Sequence, residues 1–346
     1  MEIKSFAQNI VGWYHRHCRD LPWRHTRNPY FIWLSEVILQ QTRVAQGTPY
    51  YLKFVEQYPT IFDLAAAPEQ EVMRLWQGLG YYSRARNLHQ TAQYIVQNLN
   101  GQFPDSYQKL LQLKGIGPYT AAAVASFAYN EAVAVVDGNV YRVLARVFGI
   151  DTDVASTAGK KEFAHLAAQL IDQAQPATYN QAIMEFGAIQ CQPVSPDCLL
   201  CPLQGQCLAN ATGRVGELPF KTKKTKVRER FFNYLVFRQG NSIALQLRTN
   251  RDIWQQLYDF YLVETDDLVS DLDQLPLENT TGTITGPSRV YTHILTHQRI
   301  QAQFWQVHLA DSQAGVLPVG LQLYTPDEIE ALPKPVLISA YLKEYF

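Results

Sequence analysis

Two domains of different class are predicted for this chain of 346 residues: an all-α domain over residues 1–211 and an α+β domain over residues 231–346, joined by a basic linker over residues 212–230. Three observations predict them. Apolar residues recur at helical spacing up to about residue 211 and then shift to the extended runs of strands. The length suits two cores of ordinary size. Charge also falls in blocks, with 16 Lys and Arg against 16 Asp and Glu in residues 1–211, 7 against 2 in 212–230 and 7 against 13 in 231–346.

Each element follows in order. MEIKSFAQNIVGWYHRH sets Ile3, Phe6, Ile10, Trp13 and His17 at helical spacing and lacks the uninterrupted apolar core of a signal peptide. PYFIWLSEVILQQ is apolar all round, so it reads as a buried helix. PEQEVMRLWQGL, SRARNLHQTAQYIVQNL, PYTAAAVASFAY, KEFAHLAAQLIDQ and TYNQAIMEFGAI are further helices between Gly, Pro and Asp punctuation. TGRVGELPFKTKKTKVRER has little periodicity and reads as the linker. FFNYLVFR and IALQLR are strands around the hairpin turn QGNS, and RIQAQFWQVHL is another. Thr325 and Glu328 stand at capping-box spacing before a short helix, and PVLISAYLKEYF closes the chain with another. No apolar run approaches the roughly 20 residues of a membrane span, so a soluble, intracellular chain is expected.

Chemistry concentrates in a few stretches. Cys191, Cys198, Cys201 and Cys207 crowd into CQPVSPDCLLCPLQGQC, where soft thiolates can converge on one metal centre. Zinc favours two paired CxxC knuckles and only Cys198 and Cys201 form such a pair, so an iron-sulfur cluster is the better reading. In LKGIGPYTAAAV, Gly115 and Gly117 precede Pro118, a favoured first residue of a helix. That turn suits an anion held by bare amides, and equally a tight connection with nothing bound.

Two carboxylates stand out. Glu36 is the one carboxylate between Pro29 and Leu39, and in so apolar a helix its pKa should rise, as a general acid requires. A glutamate facing a wet cleft or paired with an arginine fits the same sequence. Asp137 in VVDGNVYRVLARVF is placed to cap the helix that begins near Asn139. An ionised carboxylate beside a protonated one is also the logic of glycoside hydrolysis.

Cysteines at these spacings, closing a helical domain that carries LKGIGPYTA and then VDGNV, make residues 1–211 resemble the helix-hairpin-helix DNA glycosylases with a 4Fe-4S cluster, the group of endonuclease III and the MutY-type adenine glycosylases. The resemblance implies a cluster that supports DNA binding with no part in bond cleavage, and a DNA phosphate as the anion at Gly115 and Gly117. Bifunctional members carry a lysine two residues after the second hairpin glycine. Here that position is Tyr119, and a phenol forms no Schiff base, so a glycosylase without strand cleavage is expected. GIGPYTA is the form expected of MutY-type enzymes, which makes Tyr119 a pocket residue. In that family the glutamate of SEVxLQQT, here Glu36, protonates the adenine leaving group and later activates water. The aspartate matching Asp137 stabilises the sugar cation through a transient adduct, and Asn139 would orient it.

By the same resemblance Trp23 and Arg24 in LPWR and Glu185 in MEFGAI belong to an adenine pocket. Gln41, Thr42, Leu79 and Tyr81 approach or stack beside the opposite base, expected to be 8-oxoguanine. MutY-type proteins add a domain resembling the MutT or Nudix fold, which residues 231–346 fit in length and strand content. A hydrolytic Nudix domain holds magnesium on a helix dense in glutamates. This chain offers VSDLDQLPLENT, so a lesion reader is expected instead. Its reading loop is expected in VYTHILTH, with Tyr291, Thr292 and His293 standing for the family's Phe-Ser-His. Lys221, Lys223, Lys224 and Lys226 suit phosphate contacts or plain solvation, and Cys18 reads as a packing residue.

The expected function is DNA base excision repair: hydrolysis of the N-glycosidic bond of adenine opposite 8-oxoguanine or guanine in double-stranded DNA, leaving an abasic site. The expected protein is a monomer of bacterial-type cytoplasm, associated with the nucleoid through DNA and making no membrane contact. Tyr119 and the second domain argue against an endonuclease III-like glycosylase for oxidised pyrimidines. Glu36 and Asp137 together argue against a noncatalytic lesion-binding protein.

Overall fold

The computed structural model describes residues 3–222, 227–275, 283–309 and 317–346. The chain forms two compact units, Met1–Ala65 with Gln90–Lys223 and Ala66–His89 with Lys224–Phe346. The division differs from the expected one: Ala66–His89, inside the span assigned to the helical domain, belongs to the α+β unit. The reason is side-chain bonding, since Arg74, Gln77, Tyr81 and Arg86 all bond to residues beyond 250.

The helices up to residue 211 are α1 (Ile3–His17), α2 (Pro29–Leu39), α3 (Val44–Gln57), α4 (Ile61–Ala66), α5 (Glu69–Leu75), α6 (Ser83–Leu99), α7 (Tyr107–Leu110), α8 (Pro118–Tyr129), α9 (Gly138–Phe148), α10 (Thr157–Leu170), α11 (Pro176–Glu185) and α12 (Leu208–Ala211). Local chemistry sets their ends. Asn28 caps α2 by accepting from the Tyr30 N–H, Ser156 caps α10 from Gly159, and Pro opens α2, α8 and α11. α9 stops at Gly149, whose φ of 66° is left-handed. A π-helical turn, Phe186–Gln190, continues α11 toward the cysteines.

In the first unit Phe6, Ile10 and Trp13 of α1 share a core with Val143, Leu144 and Val147 of α9, Phe163 and Leu170 of α10, and Tyr179, Ala182 and Ile183 of α11. His17, expected on the same face of α1, is exposed and stacks on Trp13. α2 packs on α8, whose buried Ala121–Ala125 let the backbones approach. Cys18 is exposed, which corrects its reading as a packing residue.

The linker expectation also needs correction. Leu218 is buried, Val154 donates to the Phe220 carbonyl, Arg214 pairs with Asp151, and Thr222 bonds to Asp153, so residues 212–222 are pinned to the first unit. Residues 228–230 already lie in a strand. Lys223, Lys224 and Lys226 fall outside the described residues.

In the second unit the described strands are β1 (Arg228–Gln239), β2 (Ser242–Leu247), β3 (Tyr258–Asp259), β4 (Tyr261–Thr265), β5 (Thr283–Thr285), β6 (Tyr291–Ile294), β7 (Gln298–His308) and β8 (Gln322–Tyr324), followed by α13 (Pro326–Ala331) and α14 (Val336–Tyr345). They form one mixed sheet in which β1 and β7 pair in parallel from Arg228↔Gln298 to Arg238↔His308. β1 also turns into β2 through a two-residue hairpin, with Gln239 opposite Ser242. Phe304 of β7 stacks on Tyr341 of α14 with ring centroids 3.9 Å apart, joining helix to sheet. Thr325 and Glu328 form the expected capping box.

Candidate active site

Glu36 sits in the buried helix α2, and Tyr119, in the first turn of α8, donates its hydroxyl to Glu36 Oε2 at 2.6 Å. Burial drives the Glu36 pKa up to about 7, with the Asp137 charge adding to the rise and the Tyr119 bond and Arg24 opposing it. Glu36 is therefore able to hold a proton near neutral pH. Asp137 is the N-cap of α9: Oδ1 accepts from the Val140 N–H at 2.8 Å and Oδ2 from Asn139 Nδ2 at 2.7 Å. Burial raises the pKa of Asp137 as well, and these donors and the Arg142 charge offset only part of the rise. The bonds that start the helix also fix the direction of the carboxylate.

Trp23, Arg24, Ser35 and Glu36 line one small cavity together with Ile32, Phe127, Gln181 and Met184. Trp23 meets Tyr51 edge to face at 5.3 Å. Glu185 is not in this wall. It is 1% exposed and accepts from Arg19 through the backbone N–H, Nε and Nη2, and from Arg24 Nη2 at 2.7 Å. Burial alone would raise its pKa, but the donors from Arg19 and Arg24 outweigh it and hold it at about 2. Glu185 thus sets Arg24 from behind, and the residue one turn earlier on α11, Gln181, faces the cavity. Tyr14 donates to Gln181 Oε1 at 2.8 Å, which fixes the orientation of its amide. The sequence signal for Gln181 was its i,i+4 spacing from Glu185.

Arg142 ties this site to the cysteine region. It donates to Asn139 Oδ1 at 2.8 Å, to the Gly187 carbonyl at 2.6 Å and to the Cys191 carbonyl at 2.8 Å. Gly187 has no room for a side chain, since a Cβ there would stand 2.6 Å from Asn139 Cβ and 2.9 Å from its carbonyl oxygen. The glycine in MEFGAI is what lets the π-helical turn meet the start of α9.

Cys191, Cys198, Cys201 and Cys207 line one cavity with Arg146, which is 2% exposed and donates to Cys191 Sγ at 3.4 Å and to the carbonyls of Gln192 and Pro193. Burial pushes the thiols of Cys198 and Cys207 up, and that of Cys201 to about 11, so the set suits a cationic centre that would hold it deprotonated. Among the described residues no such group is gathered as a single ion requires. Four cysteines lining one cavity are the donor set that a 4Fe-4S cluster would need.

At the hairpin, Gly115 takes φ of 75° and Gly117 caps α8 with open space where a Cβ would be. Only Gly115 thus requires glycine for its own conformation. Both residues are exposed, and their amides meet no acceptor among the described residues. Gln41 is exposed with φ of 53°, and the Thr42 hydroxyl donates to the Gln40 carbonyl.

A separate cleft of about 410 Å³ lies within the second unit, lined by Leu79, Tyr81, Arg86, Trp254, His293 and the hairpin tip Leu295–His297 among others. Leu79 is buried and Tyr81 is 40% exposed, with its hydroxyl 2.6 Å from Thr296 Oγ1. Tyr291 and Thr292, expected in the reading loop, do not line the cleft. Tyr291 is buried against Phe304 and donates to Glu344 at 2.7 Å. The turn between β6 and β7 lines it instead, where Leu295, Thr296 and His297 repeat the aliphatic-or-aromatic, Thr, His pattern four residues later. That repeat within THILTH was the overlooked signal.

A helical glycosylase fold and a Nudix-like fold define the class. Residues 34–172 match the HhH-GPD superfamily base excision DNA repair protein family, and residues 233–344 match the NUDIX domain family. The solved structure of a thermostable thymine-DNA glycosylase is 30% identical, with a TM-score of 0.57 over 61% of this chain and 97% of its own. Adenine DNA glycosylase of Rattus norvegicus is 44% identical over 230 residues, covering 63% of this chain and 45% of the rat protein. Adenine DNA glycosylase of Buchnera aphidicola subsp. Baizongia pistaciae is 36% identical over 277 residues, covering 78% of this chain and 77% of its own. This chain belongs to the adenine DNA glycosylase family. It spans under half the length of the mammalian relatives it matches.

Proposed function

We propose that this chain excises adenine opposite 8-oxoguanine or guanine from double-stranded DNA by hydrolysis. The observation that carries the reading is the pairing of a buried, proton-holding Glu36 with a second carboxylate, Asp137, whose two oxygens accept from Val140 and Asn139. Adenine extruded from the duplex enters the cavity of Trp23, Arg24 and Gln181. Glu36 gives its proton to the base as the bond from the sugar breaks, and the bonding pair leaves with adenine. Asp137 stabilises the resulting sugar cation. A water then adds to the sugar carbon and returns its proton to Glu36, leaving an abasic site.

Phosphate contacts at the Gly115 and Gly117 amides suit the fold. Cys191, Cys198, Cys201 and Cys207 would hold a 4Fe-4S cluster. When bound, it supplies no bond-breaking chemistry but orders the loop that Arg146 and Arg142 read on its protein side. The protein acts as a monomer. The test is single-turnover incubation with a duplex carrying A opposite 8-oxoguanine, split between hot alkali and no treatment. Cleavage of the A strand after alkali alone is expected. Cleavage without alkali would overturn the reading of Tyr119, and intact strands in both would overturn the enzyme.

A further inference from the structure

We propose that Gln77 and Arg74 are positioning residues for opposite-base selectivity: they brace the turn carrying Leu79 and Tyr81 against the C-terminal helices, so that both walls of the second unit's cleft are set on one body. The inference rests on the proposed function, and on Leu79 and Tyr81, which line that cleft, meeting the opposite base as the family resemblance implies.

The turn is closed on itself. Gly78, Gly80 and Tyr81 take φ of 102°, 72° and 47°, Trp76 Nε1 donates to the Gly80 carbonyl at 3.1 Å, and Arg84 Nη2 reaches the same oxygen at 3.3 Å. A closed turn still has to be aimed. The helix before it, α5, has seven residues, too few to stand by itself in water. Its C-terminal end is therefore where outside bonds decide the direction.

Those bonds converge on Gln77. Its Oε1 accepts from the Lys334 N–H at 3.1 Å and from Arg74 Nη1 at 3.3 Å, while Nε2 donates to Ser339 Oγ at 3.0 Å. Arg74 donates to the Glu330 carbonyl at 2.9 Å and to its carboxylate at 2.7 Å. On the far side of the turn Arg86 donates to the Gln255 carbonyl at 2.7 Å. Gln255 belongs to the loop of Trp254, itself set by Asp252 between Arg230 and Arg248. Neither Gln77 nor Arg74 lines the cleft, so they act on it through Leu79 and Tyr81.

The test uses the full chain and three variants, Gln77→Ala, Gln77→Glu and Arg74→Ala. Two quantities are read: amide hydrogen exchange over residues 76–86, and single-turnover excision of A opposite 8-oxoguanine and opposite guanine. Gln77→Ala is expected to speed exchange at least ~5-fold, as for loss of one or two net hydrogen bonds. It should lower the ratio of the two excision rates by about the same factor, leaving the rate opposite guanine within about twofold. Arg74→Ala should do the same more weakly, its partner being exposed. Gln77→Glu keeps an acceptor for Lys334 and for the Ser339 hydroxyl, and should restore both readouts. Unchanged exchange in Gln77→Ala overturns the brace whatever the rates do. Equal loss of both rates overturns the selectivity role, leaving a structural one. Equal rates on the two duplexes in the parent chain overturn the reading of the cleft, a failure that the exchange measurement separates from that of the brace.

Discussion

At Glu36 burial and a donated hydrogen bond pull in opposite directions, and burial wins, lifting the pKa from its ordinary 4.5 to about 7. The unfolded chain loses this proton at the lower value and the folded chain at the higher. Between them the native state holds more protons, so stability falls as pH rises through that window. Glu36→Gln should then melt at the parent's temperature near pH 4 and gain stability on the order of 3 kcal/mol above about pH 7, while excising no adenine and still binding the duplex. Because excision needs the protonated acid, its rate should decline above about pH 7. The Tyr119 bond lowers the Glu36 pKa, so Tyr119→Phe should move that alkaline limb to higher pH. A limb that stays in place would mean that another group is the acid.

Among the elements, α9 and the π-helical turn after α11 form the joint between the carboxylate chemistry and the cysteine loop. Arg142 closes it with bonds to Asn139, Gly187 and Cys191. Arg142→Ala leaves Asn139 and two carbonyls without their charged donor, and single-turnover excision is expected to drop by about tenfold or more. Gly187→Ala forces a methyl group against the Asn139 backbone, which should lower stability by about 1–3 kcal/mol in urea melts and slow excision with it. On α11, Glu185 and Gln181 divide the labour by one helical turn, the first holding Arg24 and the second facing the cavity.

For the whole molecule, the division of the chain changes what a truncation means. Ala66–His89 belongs with Lys224–Phe346, so cutting within the linker removes the partners of Arg74, Gln77, Tyr81 and Arg86. A chain ending at residue 222 is expected to melt below the full chain's first transition and to exchange rapidly over residues 66–89, as read by calorimetry and hydrogen exchange. Equal protection in both chains would show that the segment needs no second unit.

Sequence by itself determined most of the elements and the placing of the buried and capping carboxylates and of the cysteines. Helical and strand periodicity, the Asp137 cap, the capping box at Thr325, the buried acid in an apolar helix and the four clustered cysteines are all local patterns, legible within a few residues. Tertiary structure decided what no local pattern carries. Gln181 and not Glu185 faces the cavity because two arginines from the α1–α2 connection claim the glutamate. Leu295–His297 and not Tyr291–Thr292 line the cleft because Tyr291 is claimed by Phe304 and Glu344. The turn of Leu79 and Tyr81 joins the second unit through bonds to residues more than 200 positions away. Each of these outcomes depends on partners far away in the sequence, which the fold as a whole brings together and neighbours in the chain do not.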